Sequence, residues 1–251
     1  MNCLIEMGFN KRKNINLLFH RLYKIAEEKT NFEDVHIDLF KFTLDSILDY
    51  NKSSSENKFD YTITFDDGSL SDYVYAFKEL KKRNMNAYFF VVPKFVNNKN
   101  YMSWDMILEM SNAGMVIGSH SMSHINLASL SKKDAILELV RSKNIIEESI
   151  NQKIDSFSFP FGFFNSSLVS EAKKAGYKRI FSSKHGLSSN FENVRARNSI
   201  NSTFNSNDIK LTLEARVQKK IMWFLEDSIK YPIKNYLGDS YYKYLRSLYK
   251  K

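Results

Sequence analysis

A short apolar run that ends in acids, Tyr61-Thr62-Ile63-Thr64-Phe65 followed by Asp66-Asp67-Gly68, constrains the fold of this chain more than any other feature. Such a run reads as a buried strand. The glycine turn behind the acids sets both carboxylates at the strand's carboxyl end, where parallel α/β architectures gather their chemistry. About fifty residues later the plan repeats, with Met115-Val116-Ile117-Gly118 as a second short strand running out into His120-Ser121-Met122-Ser123-His124. Helices are expected near Tyr73 to Lys82, from Ser103-Trp104 through Met110, from Lys132 behind a Ser131/Asp134 capping box, and near Leu168 to Ala175. Ala87 to Val92 and Arg179 to Ser182 read as strands between them. Alternation of this kind implies a parallel sheet or barrel.

Two acids and two imidazoles at neighbouring strand ends are the parts of a metal hydrolase site. Zinc and similar divalent ions take imidazole nitrogen and carboxylate oxygen, and a catalytic site keeps one position open for water. Two His and one Asp fill that set, and the remaining Asp is placed to act as a general base. Adjacent buried acids repel each other unless a cation lies beside them, which weighs against a purely structural Asp-Asp-Gly turn.

These residues resemble the polysaccharide deacetylases with NodB homology, carbohydrate esterase family 4, over roughly residues 15 to 200. That family carries Thr-Phe-Asp-Asp-Gly, His-Ser/Thr-x-x-His and a third motif around Pro-Tyr-Gly, here Phe157-Ser158-Phe159-Pro160-Phe161-Gly162. The resemblance implies a distorted (β/α) barrel of about seven strands. It also implies one divalent ion, zinc first with cobalt or nickel as alternatives, held by Asp67, His120 and His124. Asp66 would be the base, and the backbone N–H of Phe161 would help form an oxyanion hole.

The chain departs from the family pattern at two points. The arginine that braces the catalytic Asp in many members is replaced by Ser158, so the brace is missing or comes from elsewhere; Arg195 and Arg197, two apart and on one face of any strand there, are the candidates. The family's late Leu-x-x-His-type motif, which supplies the general acid, is also absent, since no histidine follows His185. However, Asn16-Leu17-Leu18-Phe19-His20 has the same form near the start. In a closed ring of strands the first and last are neighbours, so cutting the ring elsewhere keeps the geometry. His20 is therefore the expected acid of a circularly permuted member. His36 and His185 are left outside the expected site.

At 251 residues the chain is long enough for one barrel-sized core without disulfides, and its single cysteine, Cys3, carries no functional weight. The expected organisation is a deacetylase barrel over residues 1–205 and a helical C-terminal extension over 206–251, with helices at Leu211 to Ile229 and Tyr236 to Tyr249. The opening residues lack the charged start and apolar centre of a signal peptide, so a cytoplasmic location is expected. The C-terminal helices are expected to pack on the barrel or on a second copy in a homo-oligomer. Peripheral contact of those helices with the inner membrane face is the alternative. The net charge of +9 favours phosphate-bearing partners, and nucleic acid is excluded because no recognition pattern for it is present. The expected substrate is an N-acetylated sugar or glycan intermediate, nucleotide- or lipid-linked, deacetylated to free amine and acetate. An O-acetyl ester or another C–N bond cleaved by the same site, and a catalytically degenerate glycan-binding protein, are the alternatives.

Overall fold

The computed structural model of the chain describes residues 13–53, 59–189, 192–229 and 232. Its centre is a curled sheet of seven parallel strands, in the order β8-β7-β6-β5-β4-β1-β9, that forms a half-barrel. β1 (Lys13–Phe19) lies along β4 (Phe59–Asp67) for its full length, with Leu17 opposite Ile63 and Phe19 opposite Phe65. β5 (Tyr88–Val91) and β6 (Val116–Ser119) follow on the other side of β4, then β7 (Ser156–Ser158) and β8 (Arg179–Phe181). Residues 195–199 span the two edges of the sheet. Arg195 bridges to Phe181 of β8, and β9 (Asn198–Ser199) pairs with Leu17 and Leu18 of β1. A small separate pair, β2 (Arg21–Tyr23) and β3 (Asp34–His36), leads into the first helix.

The helices expected from the sequence are present with sharper ends. α1 (Ile37–Lys52) starts at His36, whose Nδ1 accepts from the Asp38 N–H, giving that histidine a capping role. A π-type turn, Asp72–Phe77, runs into α2 (Lys78–Lys82), α3 spans Trp104–Asn112 behind the N-cap Ser103, and α4 spans Lys132–Ile150 behind Ser131. α5 (Ser166–Lys174) precedes β8.

Stacked rings fill the interior. Phe65 lies 5.0 Å from Phe89 and 5.4 Å from Phe19, and Phe40 of α1 meets Phe19 and Phe65 edge-on at 5.2 and 5.5 Å. Burying each such ring contributes about 1.5–3 kcal/mol, so this cluster fixes how β1, β4 and β5 sit beneath α1. β6 approaches its neighbours so closely at Gly118 that a Cβ there would lie 2.6 Å from the Phe90 ring and 2.9 Å from the Ser156 carbonyl. Only glycine lets the strand that delivers the histidines seat at this depth.

Beyond residue 205 the structure differs from the single long helix expected from Leu211. α6 (Ser206–Leu213) starts at an Asn205 capping box, and the chain then breaks at Ala215, whose φ of 47° is left-handed. A seventh helix, α7 (residues 217–229), follows. The break is tied down where periodicity cannot see it: Tyr50 donates to Glu214 at 2.5 Å and Tyr61 to the Leu213 carbonyl at 3.1 Å. Ile209, Leu213 and Ala215 belong to the same core as the strands. The expected helix from Tyr236 to Tyr249 lies outside the described residues. Among those described, no helix is long and apolar enough to cross a membrane.

Candidate active site

The carboxyl ends of β4, β6 and β7 and the segments behind them converge at one end of the sheet on a cleft of about 490 Å³. Asp66 and Asp67 are the last residues of β4, and because side chains alternate along a strand they leave it in different directions. Asp66 turns into the protein. It is 2 % exposed and meets Arg197 in a bidentate pair, Nη1 to Oδ1 and Nη2 to Oδ2, each at 2.7 Å. Ser158 donates to the same carboxylate at 3.2 Å and accepts from Arg197 at 2.7 Å. Arg197, fully buried between the Phe90 and Phe181 rings, also donates to the Ser182 carbonyl and to Thr64. Burial by itself would raise Asp66, but the Arg197 guanidinium and His120 hold it well below the usual carboxylate range. A planar fork on a planar carboxylate fixes orientation as well as charge.

Arg195 does not share this role. Its guanidinium lies over the Phe181 ring at 5.5 Å, and its backbone pairs with Ile180 and Ser182. β9 begins only at Asn198, after both arginines, so the single-strand geometry that would have put them on one face is not present.

Asp67 points into the cleft with His120 and His124. Its Oδ1 lies 3.2 Å from Nε2 of His124 and 3.7 Å from Nε2 of His120, and the three ligand atoms fall within 4.8 Å of one another. Donors bound at about 2.0–2.1 Å around a tetrahedral ion stand about 3.4 Å apart, a value that the 3.2 and 3.7 Å separations from Asp67 bracket. The chemistry of the donors fits too. His120 Nδ1 sits 2.8 Å from the Ser158 carbonyl, which holds its proton there and leaves Nε2 as a lone pair facing Asp67. Burial lowers the His120 pKa to about 4, so the ring is neutral near pH 7, as a ligand must be. Asp67 Oδ1 is buried with no hydrogen-bond partner, and burial raises the Asp67 pKa although His20 and His120 pull the other way. An orphaned carboxylate oxygen facing two imidazole nitrogens is a group that a cation would satisfy.

Backbone strain collects at the same place. Asp67, Ser121, His124 and Phe161 are non-glycine residues at φ between 56° and 77°. Such residues are rare and cluster where surrounding structure over-determines them. The loop bearing His124 is held from outside by Glu138 of α4, which accepts from the Met122 and Ser123 N–H groups and the Ser123 hydroxyl. Glu138 carried no motif signal; it is one more acidic residue on an amphipathic helix. Ser158 was legible only as a missing arginine, whereas here it joins the pair that replaces it.

His20 and Phe161 also line the cleft. His20 follows β1, directly beside the end of β4, and is held 4.0 Å from Glu33. Phe161 packs against His124 with the rings tilted and their centroids 4.6 Å apart, and the turn that carries it depends on Gly162, where a Cβ would sit 2.6 Å from the Ser183 hydroxyl. The opposite wall is α7, through Lys219, Met222, Glu226 and Ile229. That wall is pinned by His185, whose Nδ1 lies 2.8 Å from Asp227 and whose ring lies parallel to Trp223 at 6.5 Å.

A family model described as polysaccharide deacetylase matches residues 53–180. YxkH of Bacillus subtilis (strain 168) is 30 % identical over 134 residues, covering 53 % of this chain and 48 % of its own length. The poly-beta-1,6-N-acetyl-D-glucosamine N-deacetylase of Staphylococcus aureus (strain MRSA252) is 28 % identical over 154 residues, covering 56 % of this chain and 53 % of its own. The chain thus spans about half the length of the curated relatives it matches. Among solved structures, Streptococcus pyogenes deacetylase PplD superposes with a TM-score of 0.71 at 23 % identity, over 80 % of this chain and 98 % of that one.

Proposed function

The chain belongs to the polysaccharide deacetylase family, and from that premise we propose that it is a metal-dependent hydrolase removing N-acetyl groups from a sugar or glycan intermediate. The observation that carries the reading is the division of labour between two adjacent acids. Asp66 is clamped by Arg197, while Asp67 faces His120 and His124 with an unsatisfied oxygen. Asp67, His120 and His124 would hold a divalent ion, with zinc first among the candidates. When bound, the ion supplies Lewis-acid chemistry, acidifying water and polarising the acetamide carbonyl.

The protein's own groups do the rest. Asp66, kept ionised by Arg197, accepts the proton of the attacking water at a carboxylate oxygen. Its two bonds to the guanidinium leave it little freedom to turn away. The Phe161 N–H stabilises the carbonyl oxygen as it gains charge, a contribution on the order of 3 kcal/mol for one such donor. His20, across the cleft at the end of β1, protonates the departing amine. Its place beside β4 supports the circular permutation, since β1 occupies the position that a last strand would take in a ring cut elsewhere. Acetate and a free amino sugar result.

That the Staphylococcus aureus relative is named for an N-acetylglucosamine polymer supports an N-acetylated sugar here. Acetate release from N-acetylglucosamine oligomers tests this, measured on zinc-loaded protein beside His124→Ala. Release by the wild type alone is the expected result. Equal rates from both proteins would sink the metal assignment, and no release from any N-acetyl sugar would sink the activity.

A further inference from the structure

Lys219 of α7 is 3 % exposed, yet it lines the cleft. It is the only lysine or arginine among the described residues that do so. Its Nζ lies 4.1 Å above the Phe204 ring. Among the described residues, no carboxylate oxygen comes within the 4.0 Å of an ion pair. Asp208 and Glu226 share the cleft but stand farther off. The ring face offsets part of the desolvation of the ammonium, and burial still lowers the Lys219 pKa. An ammonium buried against a ring, with its two nearest carboxylates beyond ion-pair distance, is favoured by an anion that arrives with its ligand.

We propose that Lys219 binds an anionic phosphate or diphosphate carried by the N-acetylated substrate beyond its sugar, so that the cleft selects a charged sugar intermediate over a neutral glycan chain. This rests on the deacetylase reading. Glu33, Asp208 and Glu226 also line the cleft, and Lys219 is the one cationic Lys or Arg side chain among the described lining residues that can receive an anion. Ser199 brings a hydroxyl to the same cleft lining. Nucleoside diphosphate sugars and lipid diphosphate sugars present the same charged group, and the cleft recognises that shared chemistry.

The test compares zinc-loaded wild type, Lys219→Met and Lys219→Arg. The probes are uridine diphosphate N-acetylglucosamine, farnesyl diphosphate-linked N-acetylglucosamine and a neutral N-acetylglucosamine tetramer. In Lys219→Met, which keeps the contact with Phe204, kcat/KM on a diphosphate sugar should fall about tenfold relative to the tetramer, mostly through KM. Lys219→Arg should restore most of that ratio. The diphosphate probe that the wild type prefers identifies the source. A ratio unchanged in Lys219→Met overturns the proposal, as does equal loss on charged and neutral probes. If the wild type releases acetate from none of them, the deacetylase reading fails by itself. Lys219 is then judged by calorimetry of inorganic pyrophosphate with the metal-free protein. Binding that weakens about tenfold in Lys219→Met upholds the anion site, and equal or absent binding in both proteins overturns it.

Discussion

The floor and the wall of the cleft are built on different physical terms. The floor, at the ends of β4, β6 and β7, is rigid: Asp66, Arg197 and Ser158 are buried together and every partner is hydrogen-bonded. The wall, α7, leaves Val217, Ile221, Phe224, Leu225 and Ile229 exposed and is fastened through Trp223 and the His185–Asp227 contact. Buried charge pairs fail badly when one partner is lost, while partly exposed ones cost little. The floor is therefore intolerant of change and suited to fixed chemistry. The wall can vary at lower cost.

The sharpest way to break this contrast is at Asp66. Asp66→Asn should lower turnover by about a thousandfold, the middle of the range for a lost general base, while elemental analysis still finds the ion bound. Turnover close to wild type would remove Asp66 from the mechanism. Next in size is Arg197→Met, which strands a buried carboxylate and should cost about 3–5 kcal/mol in urea unfolding. Asp227→Asn in the wall should cost about 1 kcal/mol or less by the same measurement, with faster proteolysis at residues 214–216 as its main sign. Equal unfolding costs for the two variants would erase the distinction between floor and wall.

Acid provides a third probe, specific to the floor. His120 in the folded chain titrates near pH 4, against 6.5 for an ordinary histidine. Between those values the folded state binds fewer protons than the unfolded one. The stability of metal-free protein should accordingly be full above about pH 6.5 and fall as pH drops toward 4. His120→Gln should flatten that slope in pH-dependent unfolding. A slope unchanged by the substitution would assign it to other groups.

Much of the site was legible because its chemistry is local. The Asp-Asp-Gly end of β4 and the His120/His124 pair each lie within a few residues of one strand end, so residue type together with spacing marks the candidate donors, while the family resemblance separates Asp67 from Asp66. The alternation of short apolar strands with helices likewise specified a parallel sheet, because strands buried on both faces must be apolar throughout. The brace was only half legible. Arg195 and Arg197 are equivalent by spacing, and nothing local says which of them finds Asp66.

What the sequence determined by itself, then, is the parallel α/β architecture and an acid-and-histidine group at strand ends that could hold a metal, since strand burial and donor chemistry are written in contiguous residues. Tertiary structure decided the rest. It chose Arg197 across 131 residues, recruited Ser158 and Glu138, broke the C-terminal helix at Ala215, and swung α7 over the cleft to bring Lys219 and Phe204 together. Each of these depends on which surfaces meet when the sheet curls, and pairings between distant segments leave no period or motif in the chain.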